Sequence, residues 1–227
     1  MWEYLSLGTN DRMKSADKRK RRIRQCRKVS TKSVRALLGE LEPGVEVFGL
    51  TMGQFSSIDL LSYILEETGP AEVDIATWTS APSDTEHVRR LFIEQSVITR
   101  CRWVINYALP RLQPEYCEAL IDKFGIDCIR TIAIHGKFQT IKNDRWNIAL
   151  RTSMNPNQNK RIQWFELSDD PNMCQFYRSL VDEIWETQPA GLVLDRPARG
   201  LAATDRLAFE PDPIGRKRGR KQVFVKL

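Results

Sequence analysis

At 227 residues, 41% hydrophobic, with nine Phe and six Trp, the chain carries enough apolar material for one α/β core with tails. No apolar run approaches the ~20 residues of a bilayer span, and no repeat of solenoid length is visible, so a soluble, non-repetitive protein is expected. The net charge of +6 is unevenly spread: Arg12 to Arg35 holds 12 Lys or Arg against one acid and Ile214 to Leu227 holds six against none, which leaves about nine more acids than bases between them.

A basic end attached to an acidic body points to a polyanion partner for the end, since every phosphate neutralised by Lys or Arg adds salt-sensitive affinity. Nucleic acid, and DNA in particular, is the expected partner. The N-terminal candidates for phosphate contact are Lys18, Arg19, Lys20, Arg21, Arg22 and Arg24, in a self-repelling run read as an extended arm. Residues 1–44 form this arm, with a short capped helix from Ser30 to Leu41 ended by Pro43-Gly44. The start of the chain shows no signal-peptide pattern. Five cysteines, an odd number without a CxxC pair, suit a reducing cytoplasm and small core hydrophobes.

The folded body is read as residues 45–187. Val45 to Leu50 reads as a buried strand, and Thr51 to Ser56 as a turn. Ser57 to Thr68 follows as a helix stopped by Gly69-Pro70. The alternation then repeats, with strands at Glu72 to Trp78, Arg102 to Ala108 and Cys128 to Ile134, and helices at Ser83 to Gln95 and Pro114 to Phe124. Successive strand-helix units predict a mostly parallel central sheet with helices on both faces, its ligands beyond the carboxyl ends of the strands. His87, in the charged stretch HVRR of the second helix, reads as a solvated surface residue. Further strands are expected at Trp146 to Arg151 and Arg161 to Leu167, then an amphipathic helix from Pro171 to Trp185. Residues 188–227 read as a Pro/Gly-rich linker and a basic tail, where Arg216, Lys217, Arg218, Arg220 and Lys221 resemble the Arg-Gly-Arg core of an AT-hook without its flanking prolines.

The stretch IHGKFQTIKNDRWNIALRTSMNPNQN, Ile134 to Asn159, carries the densest chemistry. If TIAIHGKF is one strand, His135 and Lys137 leave it on the same face. The next strand ends in Thr152-Ser153-Met154-Asn155, which would bring Ser153 and Asn155 beside them. An imidazole, a fixed ammonium and neutral donors are what a phosphodiester oxyanion needs from a metal-free site. The sequence holds no GxxxxGK[ST] loop, no GxGxxG after a strand and no His/Asp/Glu cluster at ligand spacing. Neither cofactor nor metal is expected.

His-x-Lys followed by Ser-x-Asn at the end of the next strand resembles the phospholipase D-like superfamily, over roughly Thr51 to Asp170. The family's Asp falls at Lys142, with Asp144 two places late, and Thr152 stands at the family's Gly. Asn159 and Glu166 lie where the family has a further Asn and a carboxylate supporting the histidine, with Gln163 as an alternative to Glu166. RTSMNPNQN and the following SDDP are similar to phospholipase D-like proteins of phages and prophages. The resemblance implies a phospholipase D-like sandwich and a metal-independent phosphodiesterase, with His135, Lys137, Ser153, Asn155 and Glu166 as its catalytic set. Family chemistry uses two His-Lys sets, and one such set per chain implies a homodimer that completes the site. With the basic ends, these features point to a nuclease in a bacterial or phage-infected cytoplasm. The departures at Lys142 and Thr152 leave open an inactive DNA-binding or virion-associated scaffold.

Overall fold

The structure is a computed structural model that describes residues 24–28, 33–78, 82–156 and 161–192. Strand β1 (Arg24–Lys28) and the five-residue helix α1 (Val34–Leu38) come first. They are followed by β2 (Glu46–Thr51), α2 (Ser57–Thr68), β3 (Ala71–Thr77) and α3 (Pro82–Arg89), which runs into a π turn over Arg90–Glu94. Next stand β4 (Ile98–Asn106), the single turn α4 (Leu109–Leu112), α5 (Pro114–Phe124) and β5 (Ile129–Ile132). Then β6 (Lys137–Lys142), β7 (Asn147–Thr152), β8 (Gln163–Asp169) and α6 (Pro171–Thr187) complete the described chain.

Local signals set most of these limits. Ser56 and Asp59 form a reciprocal capping box on α2, and Gly69, at φ +76°, ends it. Asp170 caps α6 by accepting from the backbone N–H of Asn172 and Met173, with Pro171 in the first turn where its missing N–H costs nothing.

Among the described residues eight strands join one sheet in the order β1-β2-β8-β7-β6-β3-β4-β5. The expected mostly parallel centre is not what forms. Parallel pairing is confined to the two ends, β1 with β2 and β3-β4-β5, while β2-β8-β7-β6-β3 pair antiparallel through the middle. The reason lies in the connections: 137–169 contains three strands joined without a helix, and such links reverse the chain at each turn. Helices do cover both faces. On one side α1, α2, α3 and α5 enclose the main core with Val73, Ile75, Trp103, Ile148, Phe165 and Leu167, and on the other α6 lays Val181 and Ile184 over Ala76, Val104, Ile132 and Phe138.

Packing also begins earlier than Val45. The strand Arg24–Lys28 pairs with Glu46–Leu50, and Val34, Leu37 and Leu38 are buried in the main core, so part of the expected arm belongs to the sheet. Backbone pairing neutralises no charge, and a Lys/Arg-rich strand at a sheet edge is common because charge discourages further pairing.

Gly49 is required by close approach. A β-carbon there would lie 2.2 Å from the Phe165 ring, which itself packs edge-on against Phe55. Gly49→Ala should therefore lower stability by about 1–3 kcal/mol through overpacking. Gly136→Ala, whose β-carbon would meet nothing nearer than 4.0 Å, should leave the urea midpoint in place.

His87 is half-buried rather than solvated: its Nε2 lies 3.0 Å from the Ser62 hydroxyl, bridging α3 to α2. The hydroxyl partner on α2, invisible in the HVRR pattern, draws the ring inward. Burial and then the charge of Arg90 hold its pKa below the usual histidine value. The folded state thus favours the neutral ring, so this contribution is present above the ordinary histidine pKa and is lost as pH falls through the lower folded one. Thermal melts of wild type and His87→Gln between pH 7.5 and 5 should show wild type losing more stability on acidification than the variant.

Candidate active site

The carboxyl ends of β2, β3, β4, β5 and β7 and the starts of β6 and β8 all lie along one edge of the sheet. There Thr51 pairs with Gln163, Lys137 with Thr152, and Asn106 with Ile132. TIAIHGKF is not one strand. β5 stops at Ile132 and β6 starts at Lys137, with β4 and β3 between them in the sheet, so residues 133–136 cross the ends of those two strands. The geometric argument from a common strand face is therefore corrected: His135 stands on the crossing loop and Lys137 at the first position of the returning strand. Alternation of β-branched residues suggests a continuous strand, and only the sheet order shows why the chain must break. Gly136 sits at the break.

Buried Asn106 fixes the crossing. Its side-chain amide donates to the Ile134 carbonyl, and its oxygen accepts from the Ala108 backbone N–H at 2.8 Å. The exposed His135 ring lies against Trp78, at the end of β3, with ring centroids 6.2 Å apart. Lys137 donates from Nζ to the His135 carbonyl oxygen at 2.9 Å, and partial burial lowers its pKa. The lysine thus ties the start of β6 back onto the crossing loop.

A groove of about 660 Å³ opens here, lined by His135, Gly136, Lys137, Arg151, Ser153 and Trp164 and, from the helical side, by Tyr177 and Leu180. Three of the residues read from the sequence, His135, Lys137 and Ser153, thus share one groove though they stand on separate elements. The turn after β7 is held by its own hydroxyls. Thr152 Oγ1 donates to the Trp164 carbonyl at 2.7 Å and accepts from the Met154 N–H at 2.9 Å, while Ser153 Oγ accepts from the Trp164 N–H at 3.0 Å. Thr152 therefore has a structural use at the position where the resemblance has Gly.

Asn155 is half-buried and is not among the groove-lining residues. Its Oδ1 is enclosed without a hydrogen-bond partner among the described residues, as is Gln163 Oε1. Glu166 is held by Arg151, 2.8 Å from its Nη2. Lys142 and Asp144, the two candidates for the resemblance's Asp, line a separate hollow with Pro70 and Glu72 at the far end of β6. The terminal candidates Lys18 to Arg22 and Arg216 to Lys221, and Asn159, lie outside the described residues, and of Arg24 only the backbone, in β1, is described.

Sequence reading missed Asn106, Arg151, Trp164 and Trp78. Two left a signal: Asn106 is a polar end to the apolar run WVIN, and Arg151 interrupts the apolar run NIAL. Trp78 and Trp164 left none, because an aromatic in a strand reads as core. Among the described residues no group of three or more His, Cys, Asp or Glu stands at metal-ligating distance.

No family model matches the chain, and no curated protein does. In solved structures the chain is similar to Nuc from Salmonella typhimurium, a phospholipase D family member, at 10% identity and TM-score 0.44, over 65% of this chain and 98% of that one. It is also similar to NucT from Helicobacter pylori at 12% identity and TM-score 0.43, over 65% and 99%. A third similar structure is TrmBL2, described as an archaeal chromatin protein with a novel mode of DNA binding, at 12% identity and TM-score 0.41, over 70% of this chain and 58% of that one.

Proposed function

We propose that the chain is a phosphodiesterase of phospholipase D type acting on nucleic acid. The observation that carries this reading is the convergence of His135, Lys137 and Ser153, from a crossing loop, a strand start and a strand end, on one groove that also holds Arg151. In this reading His135 attacks phosphorus, and the leaving oxygen takes its proton from the histidine of a second copy. Water then releases the phosphate from the first histidine, restoring both groups. Lys137 and the Arg151 guanidinium hold the non-bridging oxygens as negative charge builds on them, Ser153 donates to the phosphate, and Asn155 and Glu166 support the set from outside the groove. Two copies about a two-fold axis supply the second histidine without a second motif. The basic segments 12–35 and 216–221 hold flanking phosphates, and their contribution falls with salt.

The test is cleavage of single-stranded and duplex oligonucleotides by the purified full chain in excess EDTA, with solution mass measured in parallel. Cutting by a dimer supports the reading. Binding without cutting moves the chain to the scaffold reading, and cutting by a species that stays monomeric with DNA removes the shared site.

A further inference from the structure

Trp164 is built as a platform beside the groove. The residue is 40% exposed although its backbone is fastened at both N–H and C=O by Ser153 and Thr152. It sits on β8, one strand from Arg151 and Ser153, and stacks on Phe48 of β2 with ring centroids 6.4 Å apart and planes 20° from parallel. Past it, Leu50 is 41% exposed, so an apolar strip runs from the groove across the sheet face beside the strands that α6 covers. A large aromatic held this firmly and left open gains nothing from the core, and a strip rimmed by Lys137 and Arg151 suits a ligand that is flat and apolar on one part and anionic on the other.

We infer that this strip binds the bases of single-stranded nucleic acid, with Trp164 stacking the base next to the phosphate held by Lys137 and Arg151. The inference rests on the phosphodiesterase reading and adds strandedness to it. In a duplex the base faces are already covered by their neighbours, and only an unpaired base can lie on an indole. Arg151 fits the same ligand. The ion pair of its Nη2 with Glu166 keeps the guanidinium at the groove wall. An apolar protein segment would use the strip but not the two cations at its end.

The experiment uses the full-length chain carrying His135→Asn, so that binding is read without cutting. Affinities are measured at one salt concentration for an oligothymidylate and for an abasic oligonucleotide of equal length, which presents the same phosphates to the basic ends but no bases. The oligothymidylate should bind at least about tenfold more tightly. Adding Trp164→Ala should remove that difference, and Trp164→Phe should restore part of it. Equal affinity for the two oligonucleotides, or a preference that survives Trp164→Ala, overturns the inference. The cleavage assay in EDTA, made on the chain with His135 intact, separately decides the chemistry. Stacking can thus fail while cleavage stands, and cleavage can fail while stacking stands.

Discussion

On the proposed reading, phosphodiester cleavage should fall by about three orders of magnitude or more in His135→Asn, while oligonucleotide affinity should stay within about twofold of wild type. In that mechanism His135 is the attacking group and its loss removes a step with no substitute in the groove, whereas the proposed attraction comes from Lys137, Arg151 and the basic segments. The variant should fold as wild type does, because the ring is exposed and the crossing loop is held through backbone carbonyls, by Asn106 at Ile134 and by Lys137 at His135 itself. Lys137→Ala should behave differently and weaken both affinity and rate, since it removes the proposed phosphate contact as well as the hydrogen bond that closes the loop. Single-turnover cleavage together with fluorescence anisotropy separates the two patterns. A His135→Asn protein cutting at the wild-type rate would place any nuclease activity elsewhere.

Asp74→Ala should destabilise the fold by about 3–5 kcal/mol, the cost of removing the one fully buried carboxylate that two buried arginines share. Asp74 is 1% exposed, and its carboxylate binds Arg102 through both oxygens, at 2.6 and 3.0 Å. It also accepts from Thr140 at 2.8 Å and lies 3.6 Å from Arg178 of α6. Arg102 in turn reaches Asp182 at 2.6 Å, and Arg178 pairs with Glu72, so one carboxylate organises the contact between β3, β4, β6 and α6. For a chain of this size a loss so large lowers the melting temperature by roughly 10 °C. Arg35→Ala is the contrast. It breaks ion pairs to Glu66 and Glu67 from a side chain that is 61% exposed, where solvent screens the charges, and should leave the melting temperature nearly unchanged. Equal effects from the two substitutions would show that the Asp74 network relaxes or is hydrated.

Asp74 also shows where sequence reading stops. In AEVDIAT it looks like one polar residue in an apolar strand, and nothing local says that Arg102 and Arg178, 28 and 104 positions on, will face it across a sheet and a helix. His87 is the same case on a smaller scale, read as solvated because its partner Ser62 lies on the preceding helix, with all of β3 between them.

What the sequence determined by itself follows from interactions within a few residues. Helices Ser57–Thr68 and Pro114–Phe124 have the limits that capping residues, glycines and 3.6-residue spacing assign them. The polar turn at the end of β7 follows from Thr152 and Ser153, and the α/β character from alternating apolar periods. Tertiary structure decided what depends on strand order. It made the sheet centre antiparallel, recruited Arg24–Lys28 and Val34–Leu38 into the packed body, and broke TIAIHGKF into a strand end, a crossing and a new strand. It brought His135, Lys137 and Ser153 into one groove and added Arg151 and Trp164 to them. The physical reason is the range of the forces. Capping and periodicity act over a turn of chain, whereas which strand lies beside which is set by burying apolar faces contributed from all along the sequence, and the groove exists only at the edge that this choice creates.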